Sequence, residues 1–172
     1  MNMGDPNGGD AEKIRQALSK RLEKFKLQLN EEKTKLVSFD KRKASQGIRQ
    51  ETFDFLGFTF YWGKSQKGHT VPKLKTKAKA MKTKLNRVTE WIKKVRNQKP
   101  LKEIWKTFQA KIRGHIEYYN VSHNNREVVN FVHNATRIMY KWLNRRSQRK
   151  SFEWEKFNLF IRKNPLPKVK IA

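Results

Sequence analysis

The sequence has no cysteine and no long apolar run, and these absences exclude several classes of protein. Without cysteine the chain forms no disulfide and no thiolate-ligated zinc site. No stretch of about 18 apolar residues occurs, so we expect no membrane-spanning helix. Residues 1–10 are polar and glycine-rich and lack the apolar centre of a secretory signal, which favours a flexible leader. A reducing cytoplasm is compatible with this composition.

The patterns of common catalytic sites are missing as well. Metal-dependent phosphoryl transfer needs two or more carboxylates around a cation pair, but no adjacent Asp-Asp occurs, and after position 40 the acids are scattered singly apart from Glu153 and Glu155. There is no Gly-rich phosphate loop and no nucleophile elbow. We therefore predict no catalytic residue and no metal site. A core or surface role is predicted for each of the four histidines, His69, His115, His123 and His133.

Acidic residues are scarce beside basic ones. The 172 residues carry 41 Lys and Arg against 15 Asp and Glu, a formal charge of +26. Self-repulsion on this scale opposes compaction, so we expect a polyanionic partner, most commonly nucleic acid. Residues 1–40 are nearly neutral, with 8 basic and 7 acidic side chains. The binding surface is therefore expected in residues 41–172.

The apolar pattern predicts a small α+β segment over residues 11–71. Ile14, Leu18, Leu22 and Phe25 recur at helical spacing, in a helix capped by Asp10 that ends between positions 27 and 30. A short strand over residues 33–39 and a loop over residues 40–50 are predicted to follow.

The aromatic segment 52–62 predicts one strand buried on both faces. Gly57 in its middle indicates a bulge or a close backbone approach. Gly63 and Gly68 bracket a turn, residues 69–71 return as a short strand, and Pro72 closes the section.

The remainder predicts three long amphipathic helices and a short one. Pro100 suits the first turn of the second helix, Ser122 the N-cap of the third and Ser151 the N-cap of the last. The apolar stripes are Ala78, Met81, Leu85, Val88, Ile92 and Val95; Leu101, Ile104, Phe108, Ile112, Ile116 and Tyr119; Val128, Phe131, Val132, Ala135, Ile138, Met139, Trp142 and Leu143; and Phe152, Phe157, Phe160 and Ile161.

The first two of these helices concentrate the positive charge. Between Lys73 and Arg113 there are 15 Lys and Arg but only two acids, and such a surface gives strong, salt-sensitive binding to phosphates. Charge alone does not separate RNA from DNA. The candidate RNA-binding residues are Lys73, Lys75, Lys77, Lys79, Lys82, Lys84, Arg87, Lys94, Lys111, Arg113, Arg145 and Arg146.

Several residues in this part allow two interpretations. Gly114 permits close approach either of a neighbouring helix or of RNA. The cluster Arg145, Arg146, Arg149 and Lys150 is either a second RNA contact or a solvated helix end. Aromatic side chains can stack on bases or belong to the core: the pattern favours the core for Tyr119 and Trp142, and leaves Trp91 and Trp105 open.

Four stretches together resemble the C-terminal part of the group II intron reverse transcriptases, or maturases. Residues 27–37 are similar to palm motif D, with its leucine, asparagine, two further residues and Lys-Thr. Residues 53–58 contain Phe-Leu-Gly, which resembles the primer grip. Residues 112–119 resemble the Arg-Gly-aromatic-x-x-Tyr-Tyr signature of the maturase-specific domain, and residues 140–146 the Trp-x-x-Arg-Arg element that follows it.

The resemblance implies an α+β fold in two parts. Residues 11–71 are expected to be the C-terminal remnant of the palm, with one helix and two or three antiparallel strands. Residues 73–172 are expected to be the thumb, or domain X, a mainly α-helical bundle of three long helices and a short one. In the family, the thumb grips the template–primer duplex and binds intron RNA to help it fold and splice.

The resemblance also implies roles for individual residues. Lys33 occupies the position of the motif-D lysine, near the incoming nucleotide. Phe55, Leu56 and Gly57 occupy the primer grip, beside the primer end. The helix that starts at Lys73 is expected to face the RNA backbone.

The chain departs from the family in the part that carries catalysis. In the family, the catalytic Tyr/Phe-x-Asp-Asp motif lies just before the segment that corresponds to the first helix predicted here. This sequence does not contain that motif, and the fingers and most of the palm are missing from it as well. His115 stands where the family usually has Trp. We therefore expect no polymerase activity from this chain alone and no cofactor, with Mg²⁺ needed only if a partner supplies the polymerase aspartates.

Four functional interpretations remain open. In the first interpretation, the chain is an RNA-binding maturase fragment that assists the folding and splicing of a structured group II intron RNA, with an RNA/DNA duplex as a further ligand. Alternatively it is half of a split reverse transcriptase, a non-specific basic nucleic-acid-binding module, or a decayed gene fragment whose unpaired sheet edge favours self-association. Family analogy places it in a bacterial cytoplasm or an organelle.

Overall fold

The computed structural model describes residues 8–146 and 153–170, and the chain divides into two compact units. The N-terminal unit comprises residues 1–40 and the C-terminal unit residues 41–172. The sheet therefore shares a unit with the helices that follow it, whereas the sequence led us to expect a boundary between residues 71 and 73. The leader predicted over residues 1–10 lies mostly outside the described residues.

In the described part of the N-terminal unit, the chain forms helix α1, Gly8–Glu23. Asp10 lies in its first turn, so the prediction that Asp10 caps the helix is wrong. The helix also ends earlier than predicted, because Lys26 adopts a left-handed φ of 58° and the Leu27 N–H donates to the Leu22 carbonyl at 3.0 Å. Such a reversal terminates a helix by satisfying its last carbonyls.

The strand predicted over residues 33–39 is absent, and that prediction is wrong. Asn30 instead organises a turn: its Oδ1 accepts the Lys33 N–H at 3.0 Å, and its carbonyl accepts the Thr34 hydroxyl at 2.7 Å. A strand needs a neighbouring strand to pair its backbone groups. Among the described residues of this unit, none forms one.

The C-terminal unit begins with the short helix α2, Lys41–Ser45, where a loop was predicted, and continues into a three-stranded antiparallel sheet. The strands are β1 (Phe53–Phe55), β2 (Phe58–Lys64) and β3 (Thr70–Thr76), in the order β1-β2-β3. The α+β class and the expected two or three antiparallel strands are confirmed. A single strand over residues 52–62 is not what forms, because Leu56 and Gly57 make a two-residue hairpin turn.

The hairpin turn explains why the aromatic run misled the prediction. Leu56 and Gly57 both have positive φ, 48° and 83°, as a tight hairpin requires. Apart from Gly57, this turn contains no residue that is typical of turns. The prediction of burial on both faces is also wrong, because the β2 residues from Phe58 to Gly63 are only half-buried.

Strand β3 extends further than predicted. It passes through Pro72, which pairs in register with Trp62, and ends at Thr76. Because β3 is an edge strand, a residue without an N–H is tolerated there. The predicted end at Pro72 is therefore wrong, and Lys73 and Lys75 lie on a strand rather than on a helix.

Four helices follow in the part of the chain that the structure describes: α3 (Ala78–Val95), α4 (Leu101–Tyr119), α5 (Asn125–Leu143) and α6 (Trp154–Lys163). The three long helices and the short one are thus confirmed, and their predicted stripes supply the core. Pro100 precedes α4 instead of lying in its first turn, and Asn124, not Ser122, is the N-cap of α5. Ser151 and Phe152 lie outside the described residues. The buried apolar side chains are Val88, Ile92, Ile104, Trp105, Phe108, Ile112, Ile116, Tyr119, Val128, Phe131, Ala135, Met139, Leu143 and Phe157.

One buried asparagine joins the sheet to the helices. Asn124 is fully buried, and its Oδ1 accepts the Thr76 N–H at 2.7 Å. Its Nδ2 donates to the Thr76 hydroxyl at 2.9 Å and to the Tyr119 carbonyl at 2.8 Å. A single side chain therefore connects the end of β3 with the end of α4, at the start of α5.

We expect Asn124→Ala to lower the free energy of unfolding by about 3 kcal/mol, because it leaves the buried Thr76 N–H and Tyr119 carbonyl without these partners. Urea unfolding followed by circular dichroism measures the change. Asn130→Ala, at an exposed position of α5, is the matched control and should alter stability by no more than about 0.5 kcal/mol. Equal stability of the two variants would show that the asparagine is not the joint between sheet and helices.

Candidate nucleic-acid interface

The three residues that resemble a primer grip form an exposed hairpin tip. The Tyr118 hydroxyl donates to the Leu56 carbonyl at 3.0 Å, and the Lys77 N–H donates to the Gly57 carbonyl at 2.9 Å. These bonds hold the turn against the end of α4 and the start of α3. Phe55 and Leu56 remain 59 % and 65 % exposed. The structure thus presents two apolar side chains on a fixed turn, an arrangement that can contact the sugar or base of a nucleic acid.

Lys77, a predicted RNA ligand, makes an ion pair within the chain. Its Nζ lies 2.8 Å from Asp54 Oδ2, and the Thr59 hydroxyl donates to the other carboxylate oxygen. Hydrogen bonding from Lys77, and then from Thr59, lowers the pKa of Asp54 below its ordinary value. The Lys77 charge is therefore partly neutralised, and this lysine braces the hairpin.

Lys73 and Lys75 lie on one face of the sheet, because they alternate with the residues of β3 that point to the other face. Lys75 Nζ lies 5.4 Å from the centre of the Tyr61 ring. The Lys73 side chain crosses Gly63, where an added Cβ would lie 2.8 Å from Lys73 Cδ. An aromatic ring and two cations thus share this face.

The cations of α3 do not form one surface. Lys82 and Lys84 are two residues apart, so their side chains leave the helix about 200° apart. Lys82 lines a cavity of about 490 Å³ together with Lys75 and Glu127. Lys84 lines a different cavity, on the side of α4. The helix that is expected to face the RNA backbone therefore presents its lysines on two separate flanks.

We call the second cavity the α3–α4 groove. It measures about 250 Å³, and the described residues that line it include three cations and no carboxylate. These residues are Lys84, Arg87, Val88, Lys111, Gly114, His115 and Phe131. Partial burial, and secondarily the Arg87 charge, lower the pKa of Lys84. Three positive charges facing one cavity repel one another, and an anion placed there relieves that repulsion.

Aromatic rings flank the same cations. Lys84 Nζ lies 4.5 Å from the centre of the Tyr119 ring and 5.8 Å from that of Tyr118, and Lys111 Nζ lies 5.2 Å from that of Trp91. Ring faces attract cations, so these contacts hold the two lysines in place. Because Tyr118 also bonds Leu56, the hairpin tip and the groove meet on the same helix end.

His115 lies against the inner wall of the groove. It is 3 % exposed, and its ring stacks on Phe131 at 3.5 Å and on Tyr119 at 4.7 Å between centroids. Neither ring nitrogen has a hydrogen-bond partner among the described residues. Burial, and secondarily the Lys84 charge, lower the pKa of His115 to about 4. The predicted core or surface role is thus a core role for this histidine, which is neutral at pH 7.

Arg145 and Arg146 make contacts inside the protein. Arg146 donates to the Lys99 carbonyl at 3.2 Å, and the Arg145 carbonyl accepts from Arg96 at 3.0 Å. The Arg145 guanidinium lies 5.1 Å from the centre of the Trp142 ring. These bonds join the ends of α3 and α5, so both arginines have a structural role beside any contact with RNA. Arg149 and Lys150 lie outside the described residues.

The remaining candidates are exposed. Lys79 and Lys94 lie on α3 and Arg113 on α4, while Lys33 lies in the turn of the N-terminal unit. The sequence left open whether Trp91 and Trp105 stack on bases or belong to the core, and the structure distinguishes the two. Trp105 is 2 % exposed and donates to the Asn164 carbonyl at 2.9 Å, so it belongs to the core, whereas Trp91 is half-buried beneath Lys111.

Sequence reasoning missed two residues that shape the candidate interface. Asn124 gave no distinguishing signal, because an asparagine beside a helix start ordinarily indicates a cap, and here its side chain bonds the sheet instead. The other residue is Tyr118. Its bond to the hairpin depends on a contact across 62 positions of sequence, which no local pattern encodes.

The described residues include no group of three or more His, Asp or Glu side chains arranged to hold a metal ion. Within the same residues, no helix combines the length and apolar character needed to cross a bilayer.

Gly57 and Gly68 offer a matched pair of substitutions. Both have positive φ, 83° and 78°, but an added Cβ at Gly57 would lie 2.7 Å from the Tyr119 hydroxyl, whereas at Gly68 nothing described lies within 4 Å. Gly68→Ala should cost about 1 kcal/mol for backbone strain alone. Gly57→Ala should cost at least about 1 kcal/mol more, because Tyr119 is buried and its ring cannot move aside freely.

Thermal or urea unfolding of both glycine variants measures this difference. Repeating Gly57→Ala in a Tyr119→Phe background should remove most of the excess cost, because the clashing oxygen is gone. Equal costs at the two glycines would show that the turn does not pack against Tyr119 as described.

The buried imidazole also predicts a pH dependence of stability. Its pKa is about 4 in the folded protein against an ordinary 6.5, so between these values the unfolded chain binds a proton that the folded chain does not. The free energy of unfolding is therefore unaffected by this residue above about pH 6.5 and decreases as the pH falls, by about 3 kcal/mol near pH 4. His115→Phe should abolish this component.

The measurement is the urea midpoint between pH 4 and 7, compared between wild type and His115→Phe. His69→Leu, at an exposed turn position, is the control and should leave the wild-type profile intact. Parallel profiles for wild type and His115→Phe would show that the imidazole is not held neutral.

Comparison with known proteins gives a match to one family model. Residues 78–160 match the family model described as "Group II intron, maturase-specific domain". Comparison with curated proteins gives no match, and neither does comparison with solved structures. The matched stretch covers α3, α4, α5 and most of α6, and it confirms the resemblance for the maturase-specific part, which contains the motifs at residues 112–119 and 140–146. Residues 78–160 of the chain are therefore similar to the group II intron maturase-specific domain.

Proposed function

We propose that this chain is an RNA-binding maturase fragment that binds structured group II intron RNA and assists its folding and splicing, without polymerase activity of its own. The family match gives the maturase role in general. RNA binding is supported by one observation above the others: Lys84, Arg87 and Lys111 converge on the α3–α4 groove with no carboxylate among the lining residues.

The physical basis is phosphate neutralisation. Each phosphate contacted by Lys or Arg releases condensed counterions, which makes the affinity salt-dependent. The apolar hairpin tip, Phe55 and Leu56, lies next to Tyr118 at one end of this surface. Charge supplies affinity, while a tip of fixed shape beside it supports recognition of folded RNA over an irregular strand.

The first test is binding of the whole chain to a group II intron RNA and to a scrambled RNA of equal length, at about 0.15 M salt, where exposed charges are already screened beyond roughly 8 Å. We expect preference for the intron RNA, persisting as salt rises. Equal binding to both, lost together at higher salt, would reduce the protein to a non-specific basic module and overturn the maturase proposal.

A charge-matched pair of variants locates the surface. Lys84→Gln/Arg87→Gln/Lys111→Gln removes three charges from the groove, and Lys102→Gln/Lys106→Gln/Lys163→Gln removes three exposed charges that do not line it. The groove variant should reduce the slope of log affinity against log salt by about 3, and the control by less. Equal effects would mean that only net charge matters.

A second candidate function is one half of a split RNA-directed DNA polymerase. It is favoured by α1, where Ile14 and Leu18 are 67 % and 44 % exposed although they belong to one apolar stripe. A partner polypeptide carrying the fingers and the catalytic aspartates would cover such a stripe and hold the Mg²⁺. Primer extension by the mixed polypeptides supports this function, and Ile14→Gln/Leu18→Gln should then abolish it; no extension by the mixture counts against it.

A further inference from the structure

Gly114 lies inside helix α4, where the presence of a glycine needs a reason. A glycine inside a helix is less stable there than alanine, because it loses more backbone freedom on folding. The sequence left open whether a neighbouring helix approaches it, and the structure answers that question: a Cβ added at Gly114 meets no described atom within 4 Å. Packing within the described part of the chain therefore does not require glycine at this position.

The space above Gly114 opens into the α3–α4 groove. Gly114 and Lys111 are one turn apart on α4, and Lys84 and Arg87 face them from α3. Because the glycine has no side chain, the floor of the groove at this point is helix backbone. A ligand that enters can therefore approach more closely here than at any position bearing a Cβ.

His115 provides an independent second observation. It lines the same groove and is 3 % exposed, with both ring nitrogens unpartnered among the residues described. A neutral imidazole carries one N–H, and an unmade hydrogen bond from a buried polar group is costly. An acceptor oxygen entering the groove would satisfy that donor, while the three cations favour a negatively charged acceptor.

We propose that the α3–α4 groove is a discrete site for one phosphodiester group of the bound RNA, seated over Gly114, with its oxygens facing Lys84, Arg87 and Lys111 and accepting a hydrogen bond from His115. This site rests on the proposed RNA-binding function and names the RNA group that the groove binds. Three cations, a buried donor and a bare stretch of helix backbone match one phosphate with its adjoining sugar, whereas charge attraction alone requires neither the glycine nor the histidine.

Two uncharged substitutions test the site, because they leave the net charge of +26 unchanged. Gly114→Ala places a methyl group where the phosphate is proposed to sit, and it should raise the urea midpoint while weakening RNA binding about tenfold. His115→Phe preserves the stacked ring but removes the N–H, and it should also weaken binding about tenfold, the effect of one hydrogen bond to a charged group. Gly9→Ala, at an open helical position of the N-terminal unit, is the matched control.

The probe is the fluorescein-labelled intron RNA titrated with the full chain at about 0.15 M salt, once with a 5′-hydroxyl and once with a 5′-phosphate. Equal affinity for the two RNAs, with weaker binding by Gly114→Ala and His115→Phe but not by Gly9→Ala, supports the site. A requirement for the 5′-phosphate would overturn it in favour of a terminal phosphate. Wild-type binding by Gly114→Ala would also overturn it.

Nuclear magnetic resonance of histidine-labelled protein gives a readout that does not depend on affinity. The His115 ring signals, assigned by their absence in His115→Phe, should shift when unlabelled RNA is added to wild type, and an unchanged spectrum would contradict the site. The proposed function fails separately, if wild type shows no preference for intron RNA. When that preference persists and both variants bind normally, the function stands and the groove site is wrong.

Discussion

The arrangement of the C-terminal unit depends on the buried amide of Asn124. Three elements meet at this side chain, since it bonds the Thr76 backbone at the end of β3 and the Tyr119 carbonyl at the end of α4 while its own residue begins α5. An amide is suited to this joint because it donates and accepts at once without carrying a charge that burial would penalise. By fixing β3 against α4, it also fixes the hairpin that precedes β3.

The hairpin and the groove are consequences of this joint. With β3 held, β2 packs Phe58 against Tyr118 and Tyr119, and Tyr118 bonds the turn at Leu56. The same two tyrosines hold Lys84 at the edge of the α3–α4 groove. Apolar tip and basic groove are therefore parts of one packed assembly, in which aromatic rings join the sheet to the cations of α3.

The charge of the protein is distributed less simply than its composition indicates. Lys77 is bound to Asp54, and Arg146 to the Lys99 carbonyl, so part of the excess stabilises the fold. Lys82 and Lys84 point to opposite flanks of α3. What distinguishes the groove is the combination of three converging cations with an open glycine and a buried imidazole, and this combination supports the proposed contact with RNA.

The sequence by itself determined the helices from α3 onward, their core and the resemblance to maturase-specific domains, because these follow from local periodicity and from short motifs: the stripes of α3, α4 and α5 became the core, and residues 78–160 match the maturase-specific domain. It did not determine the split of residues 52–62 into two strands or the loss of the strand at residues 33–39. Those outcomes depend on which backbone groups find partners. Only the tertiary structure decided the candidate site, since Gly114, His115 and Lys84 line one groove through packing between helices that no spacing along the chain records.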